Sequence, residues 1–118
     1  MACVLDRAEG LFLAGESGEW VERMRRDIHE YEVRTFDALA RVWLALDQPA
    51  SALHAARRVL DLAPFRESAH TRVMECHLAA GDRAEAVRVY DRLRQMPEET
   101  MGLSPNEQTE ELYARALG

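Results

Sequence analysis

The stretch TFDALARVWLALDQPASALHAARRVLDLA (residues 35–63) decides the fold, because its pattern is written twice. Shifted by 34 residues it lies over AHTRVMECHLAAGDRAEAVRVYDRLRQMP (residues 69–97). Leu44 and Leu78, Ala45 and Ala79, Ala50 and Ala84, Ala52 and Ala86, and Arg58 and Arg92 are identical pairs. Asp47-Gln48 falls on Gly81-Asp82, so the turn inside each copy coincides too. Each copy reads as two helices around that turn. The run Leu62-Ala-Pro-Phe-Arg-Glu67 joins one copy to the next.

A period near 34 residues with paired helices is the mark of a tetratricopeptide-type repeat. Such hairpins bury large residues on the first helix and small ones on the second. Phe36, Leu39, Ala40 and Trp43 fit the first set, and Ala52, Ala56, Val59 and Pro64 the second. In the second copy His70, Val73 and His77 replace Phe36, Leu39 and Trp43, while Ala86, Tyr90 and Leu93 restore the match. The expected fold is all-α: TPR-like helical hairpins in a right-handed α-α superhelix, with a long N-terminal helix and a C-terminal capping helix.

Outward from the repeat, the N-terminal side carries a long helical pattern over Glu19–Leu46 with no Gly or Pro. Trp20, Met24, Ile28 and Tyr31 recur at spacings of 3 and 4, and both charge signs lie between them. Ser17 is a candidate N-cap. Before it, Met1–Glu9 reads as the end of a helix, stopped by Gly10 and followed by the apolar plug Leu11-Phe12-Leu13. A chain that opens in mid-helix suggests further sequence upstream. The next helices are expected at Ala50–Leu62 with Pro49 in the first turn, from Glu67 or Ser68 to Ala80, and at Arg83–Gln95. Pro97 should break or bend the last of these. Ser104-Pro105 is a cap and first position for a final helix, Asn106–Leu117, whose Leu112, Tyr113 and Leu117 pack back over the last repeat.

Composition bounds the function. With 118 residues, 47% hydrophobic and 31% charged, one globular domain is expected. A net charge of −6 argues against this segment gripping a phosphate backbone by itself. Cys3 and Cys76 are read as reduced thiols. Met1–Gly10 carries Asp6, Arg7 and Glu9, so it is no signal peptide, and no apolar run approaches a membrane span. The cytoplasm is the expected compartment. No catalytic, cofactor or metal constellation emerges. His70 and His77 lie two turns apart on one face, and Cys76 and His77 point in different directions. Gly15-Glu-Ser-Gly18 lacks the Lys-Ser/Thr of a phosphate loop.

Several runs resemble one family. Asp61-Leu-Ala-Pro-Phe-Arg-Glu-Ser-Ala-His70, Ala79-Ala-Gly-Asp-Arg-Ala-Glu-Ala86 and Tyr90-Asp-Arg-Leu93 are similar to the bacterial transcriptional activator domain of antibiotic-regulatory-protein-type (SARP) regulators. Gly10–Gly15, Trp20–Arg23 and Met101–Glu107 before Leu112-Tyr113 agree with it in order and spacing. Pro97 departs from the family, which usually continues its helix there. The resemblance covers residues 1–118 as a single domain, either excised from a longer regulator whose upstream winged-helix domain binds DNA or a protein that never had that domain. Its function would be regulation by docking on that DNA-binding domain, another protomer or the transcription machinery, with DNA reached only through the missing domain and a homodimer conceivable. The competing reading is a general TPR scaffold, peptide-binding or signalling module outside transcription. By repeat geometry the concave face carries Arg34, Asp37 and Arg41 in the first copy and Ser68, Thr71 and Glu75 in the second. Those six are the candidate partner-binding residues.

Overall fold

The computed structural model describes residues 18–96 and 106–118. All regular structure among them is helical: α1 Gly18–Ala45, α2 Pro49–Leu62, α3 Glu67–Ala79, α4 Arg83–Arg94 and α5 Glu107–Leu117. The expected all-α, TPR-like fold is therefore the observed one. The Ser17 cap, the Leu11–Leu13 plug, Cys3, Pro97 and Ser104-Pro105 lie outside the described residues.

The chain divides into two compact units, residues 1–32 and 33–118, with the boundary inside α1. The described part of the first unit is the opening half of α1. Trp20, Val21, Met24 and Ile28 are half-buried there, as their spacing suggests, while Tyr31 is exposed. The 28-residue α1 is unbroken, because no Gly or Pro falls within its interior.

The second unit contains both hairpins, and its turns repeat bond for bond. The α1–α2 turn closes with Asp47 N–H donating to Leu44 O at 3.1 Å and Gln48 N–H to Trp43 O at 2.9 Å. Thirty-four residues on, Gly81 N–H donates to Leu78 O at 3.0 Å and Asp82 N–H to His77 O at 2.8 Å. Both are Schellman closures, which need a left-handed residue just past the helix. Gly81 supplies it at φ 80°, and Asp47 supplies it at φ 57° despite its side chain. Pro49 then opens α2, where its missing N–H costs nothing. Asp82 opens α4, its carboxylate accepting the Glu85 N–H.

Between the hairpins, Ala63 N–H closes on Val59 O, Arg66 N–H on Ala63 O, and the His70 Nε2–H donates to Pro64 O at 2.7 Å. One core cluster gathers Ala40, Ala52, Ala55, Ala56, Val73, Met74, Cys76, Val89, Tyr90 and Leu112. A smaller one, under the seam, holds Val33, Val59 and Ala69, with Phe36 against it. The small residues of α2 let it lie close along α3. α4 ends at Arg94, before Pro97 is reached, and its last turn tightens as Met96 N–H bonds Leu93 O.

Burial departs from the sequence expectation in two places. Ala40 is buried and Phe36 half-buried, but Leu39 (42% exposed), Val42 (52%) and Trp43 (37%) face outward. Their repeat partners Val73 (3%), Cys76 (0%) and His77 (6%) are covered. The reason is the stack: α3 has the first hairpin against that face, whereas among the described residues of 33–118 none lies over the same face of α1. At the other end Leu112 is buried and Tyr113 packs inward, but Leu117 is exposed, and Thr109 and Ala116 fill the inner positions instead.

Candidate functional site

The six candidate residues divide by fate. On α1, Arg34 and Arg41 are exposed and Asp37 is half-buried. On α3, one helical face carries Ser68, Arg72 and Glu75, with Ser68 exposed. Arg72 bridges the two helices. Its Nε donates to Asp37 Oδ1 at 2.8 Å, its Nη2 to Asp37 Oδ2 at 3.4 Å, and its Nη1 to Glu75 Oε2 at 2.9 Å. Arg41 adds a looser ion pair to Asp37 at 3.7 Å. Burial works against the Arg72 charge, but Asp37 and Glu75 outweigh it and raise its pKa above the ordinary guanidinium value. The structure thus brings Asp37, Arg41 and Glu75 into one network through Arg72, a residue the sequence reading left out. Nothing local marks Arg72, since Asp37 lies 35 residues away.

Thr71 is turned inward and buried. Its hydroxyl lies 3.1 Å from that of Thr109 and 3.0 Å from Glu67 O. α5 covers it, so Thr71 presents no side chain to a partner. The cover is fastened at the N-terminus of α5. Asn106 caps that helix by accepting the Thr109 N–H at 3.0 Å, and its own N–H donates to both Glu67 carboxylate oxygens, at 3.0 and 3.2 Å. Thr109 Oγ1 lies 3.1 Å from both Glu67 Oε2 and Asn106 Oδ1, and its single proton serves one of them at a time. Glu67 is the first residue of α3 and also sits at the first turn of α5, so one carboxylate faces two helix N-termini. Asn106 is thus the cap and Glu107 the first helical residue, in place of the expected Ser104 and Pro105, and Asn before an acidic first turn is the signal that marks it.

Along its length α5 is held by side chains from α3 and α4. Tyr90 stacks on Tyr113 with centroids 3.8 Å apart, and its hydroxyl donates to Glu110 Oε1 at 2.6 Å. Burial, with the Glu110 carboxylate on the hydroxyl, pushes the Tyr90 phenol up to about 12. Gln108 Nε2 donates to Glu75 Oε1 at 3.4 Å. Beside this contact, Leu44, Glu75, Ala79, Gln108, Glu111 and Arg115 line an open recess of about 430 Å³. Its polar groups suit charged or amide side chains of a polypeptide. None of them is a nucleophile paired with a base.

Other chemistry-bearing groups are enclosed. Burial pushes the Cys76 thiol up to about 11, with Glu75 and Asp37 adding to the shift, so it is a core side chain and a poor nucleophile. Burial also lowers the pKa of His70 and of His77; for His77 the nearby Arg57 and Arg92 add to that, while Asp82 opposes it. Among the described residues no three His, Cys, Asp or Glu side chains are grouped to hold a metal, and no helix is long and apolar enough to cross a membrane.

The family model for the bacterial transcriptional activator domain covers residues 4–117. No curated protein and no solved structure matches the chain.

Proposed function

The chain belongs to the bacterial transcriptional activator domain family, and from that membership we propose that it is the regulatory, protein-docking part of a transcription regulator. In this reading it works in the cytoplasm beside a winged-helix DNA-binding domain supplied upstream, and it takes no cofactor and performs no reaction itself. Its partners are that DNA-binding domain, a second protomer or the transcription machinery, and DNA is reached only through the other domain.

The observation that carries the proposal is the family match over residues 4–117, and the Asp37–Arg72–Glu75 network with Arg41 on its edge supports it. It holds a ridge of fixed charges across α1 and α3, with Arg34, Arg41 and Ser68 exposed along it. Fixed, partly exposed ions give orientation and specificity at an interface more than raw affinity. A net charge of −6 supports leaving DNA contact to another domain. A free-standing peptide receptor fits less well, because α5 already covers Thr71 on the inner face.

The test fuses the whole chain to a heterologous DNA-binding domain of known operator and measures reporter transcription. Expected is activation above the DNA-binding domain alone, lost severalfold in Arg34→Glu/Arg41→Glu with its melting temperature unchanged. Tight, salt-sensitive DNA binding by the unfused chain overturns the assignment of DNA contact to another domain.

A further inference from the structure

The open face of α1 has a counterpart whose covering is visible. Leu39, Val42, Trp43 and Leu46 fall at i, i+3, i+4 and i+7, so they form one stripe. All four are exposed, which is unusual for adjacent large apolar side chains. Leu39 and Trp43 form one wall of an open groove of about 450 Å³, and Ala50, Ser51 and His54 form the other. The repeat step of 34 residues carries Leu39, Val42 and Trp43 onto Val73, Cys76 and His77. There the face is closed by the first hairpin, with Ala52, Ala55 and Ala56 of α2 in the same cluster as Val73 and Cys76.

The α1 stripe is the repeat equivalent of a face that the molecule has already covered once.

Independently of the transcriptional reading, we propose that the stripe Leu39–Val42–Trp43–Leu46 docks a helical hairpin of a partner protein, one whose contacting helix carries small side chains at spacings of 3 and 4. Ala52, Ala55, Ala56 and Val59 show that pattern on α2. Leu39 and Trp43 are bulkier than Val73 and His77, so the partner helix must be at least as small-sided to approach as closely. A second copy of the chain fits poorly, because its own small-residue face is buried against α3.

The probe is a synthetic peptide of residues 49–62, stapled between exposed positions 57 and 61 so that it is helical in isolation. The protein is the full chain with Trp20→Phe, which leaves Trp43 as the sole indole. Expected is a saturable blue shift of Trp43 emission on titration. Leu39→Asp/Val42→Asp weakens it at least about tenfold, as loss of central contacts does, without lowering the melting temperature. A peptide carrying Ala52→Glu and Ala56→Glu gives no shift. Absence of a saturable shift overturns the proposal. So does a free chain whose Trp43 already resists acrylamide quenching, because the face is then covered from within. Dimerisation at micromolar concentration that Leu39→Asp/Val42→Asp abolishes also overturns it, in favour of a second copy.

Discussion

Positions 39, 42 and 43 of the first hairpin and 73, 76 and 77 of the second hold the same places in one repeat. Their turns share the same hydrogen bonds, and their helices share the same spacing. Yet the first set, Leu, Val and Trp, lies open, and the second, Val, Cys and His, lies covered. The more apolar set is the exposed one. Burial here follows place in the stack, because a helix face is buried only where another element lies against it. Hydrophobicity alone would assign both faces to the core.

The largest test of that contrast is a carboxylate on each face. Val73→Asp buries an unpaired charge and is expected to cost about 4 kcal/mol or more, enough to unfold much of the chain. Leu39→Asp is expected to stay within about 0.5 kcal/mol, as surface changes do. Urea denaturation followed by circular dichroism compares the two. Equal losses would break the contrast.

The second hairpin is also closed on its far side by α5, and Glu67 tests that closure. Glu67→Ala removes the charge-assisted bonds to Asn106 and Thr109 and is expected to cost about 1.5–3 kcal/mol. Hydrogen exchange should rise in residues 107–117 well before it rises in α2 or α3. Uniform exchange throughout would mean that α5 and the hairpins open as one.

The two covered histidines give the second hairpin a pH dependence that Phe36 and Trp43 cannot give the first. Burial lowers the pKa of His70 and His77 in the folded chain, so the unfolded chain binds more protons as pH falls. Their contribution is complete above the unfolded value of about 6.5 and declines as pH drops below it toward the lowered folded values. The melting temperature should therefore fall between pH 7.5 and 5.5, and His77→Gln should flatten part of that slope. An unchanged slope in both His70→Gln and His77→Gln would place the titration elsewhere.

The smallest effects concern the equivalent turns. Asp47→Gly is expected to stabilise by about 0.5–1 kcal/mol, because the left-handed conformation strains an L side chain. Gly81→Asp should cost a similar amount. A Cβ at Gly81 meets nothing within 4 Å, so backbone strain alone sets the sign. Thermal melts of the pair check it.

Much of the fold is legible without the structure. The helix limits of α2, α3 and α4 follow from Pro49, Glu67, Gly81 and Asp82, each acting on its own turn. The candidate ridge was legible only in part. The spacing placed Arg34, Asp37 and Arg41 on one face, but not the Arg72 fork that ties Asp37 to Glu75. Thr71 looked like a ridge residue because Ser68, Thr71 and Glu75 share a helix face. Its partner Thr109 lies 38 residues away, and no local pattern reports that.

The sequence by itself determined the helices of the two described hairpins and the turns inside them, since these rest on interactions within a few residues of one another. Tertiary structure decided which faces those helices cover. It buried Val73 and Thr71, left Leu39 and Trp43 open, and set Tyr90 against Tyr113. An amphipathic stripe states that a face is apolar, and only the arrangement of the other helices determines whether anything is there to meet it.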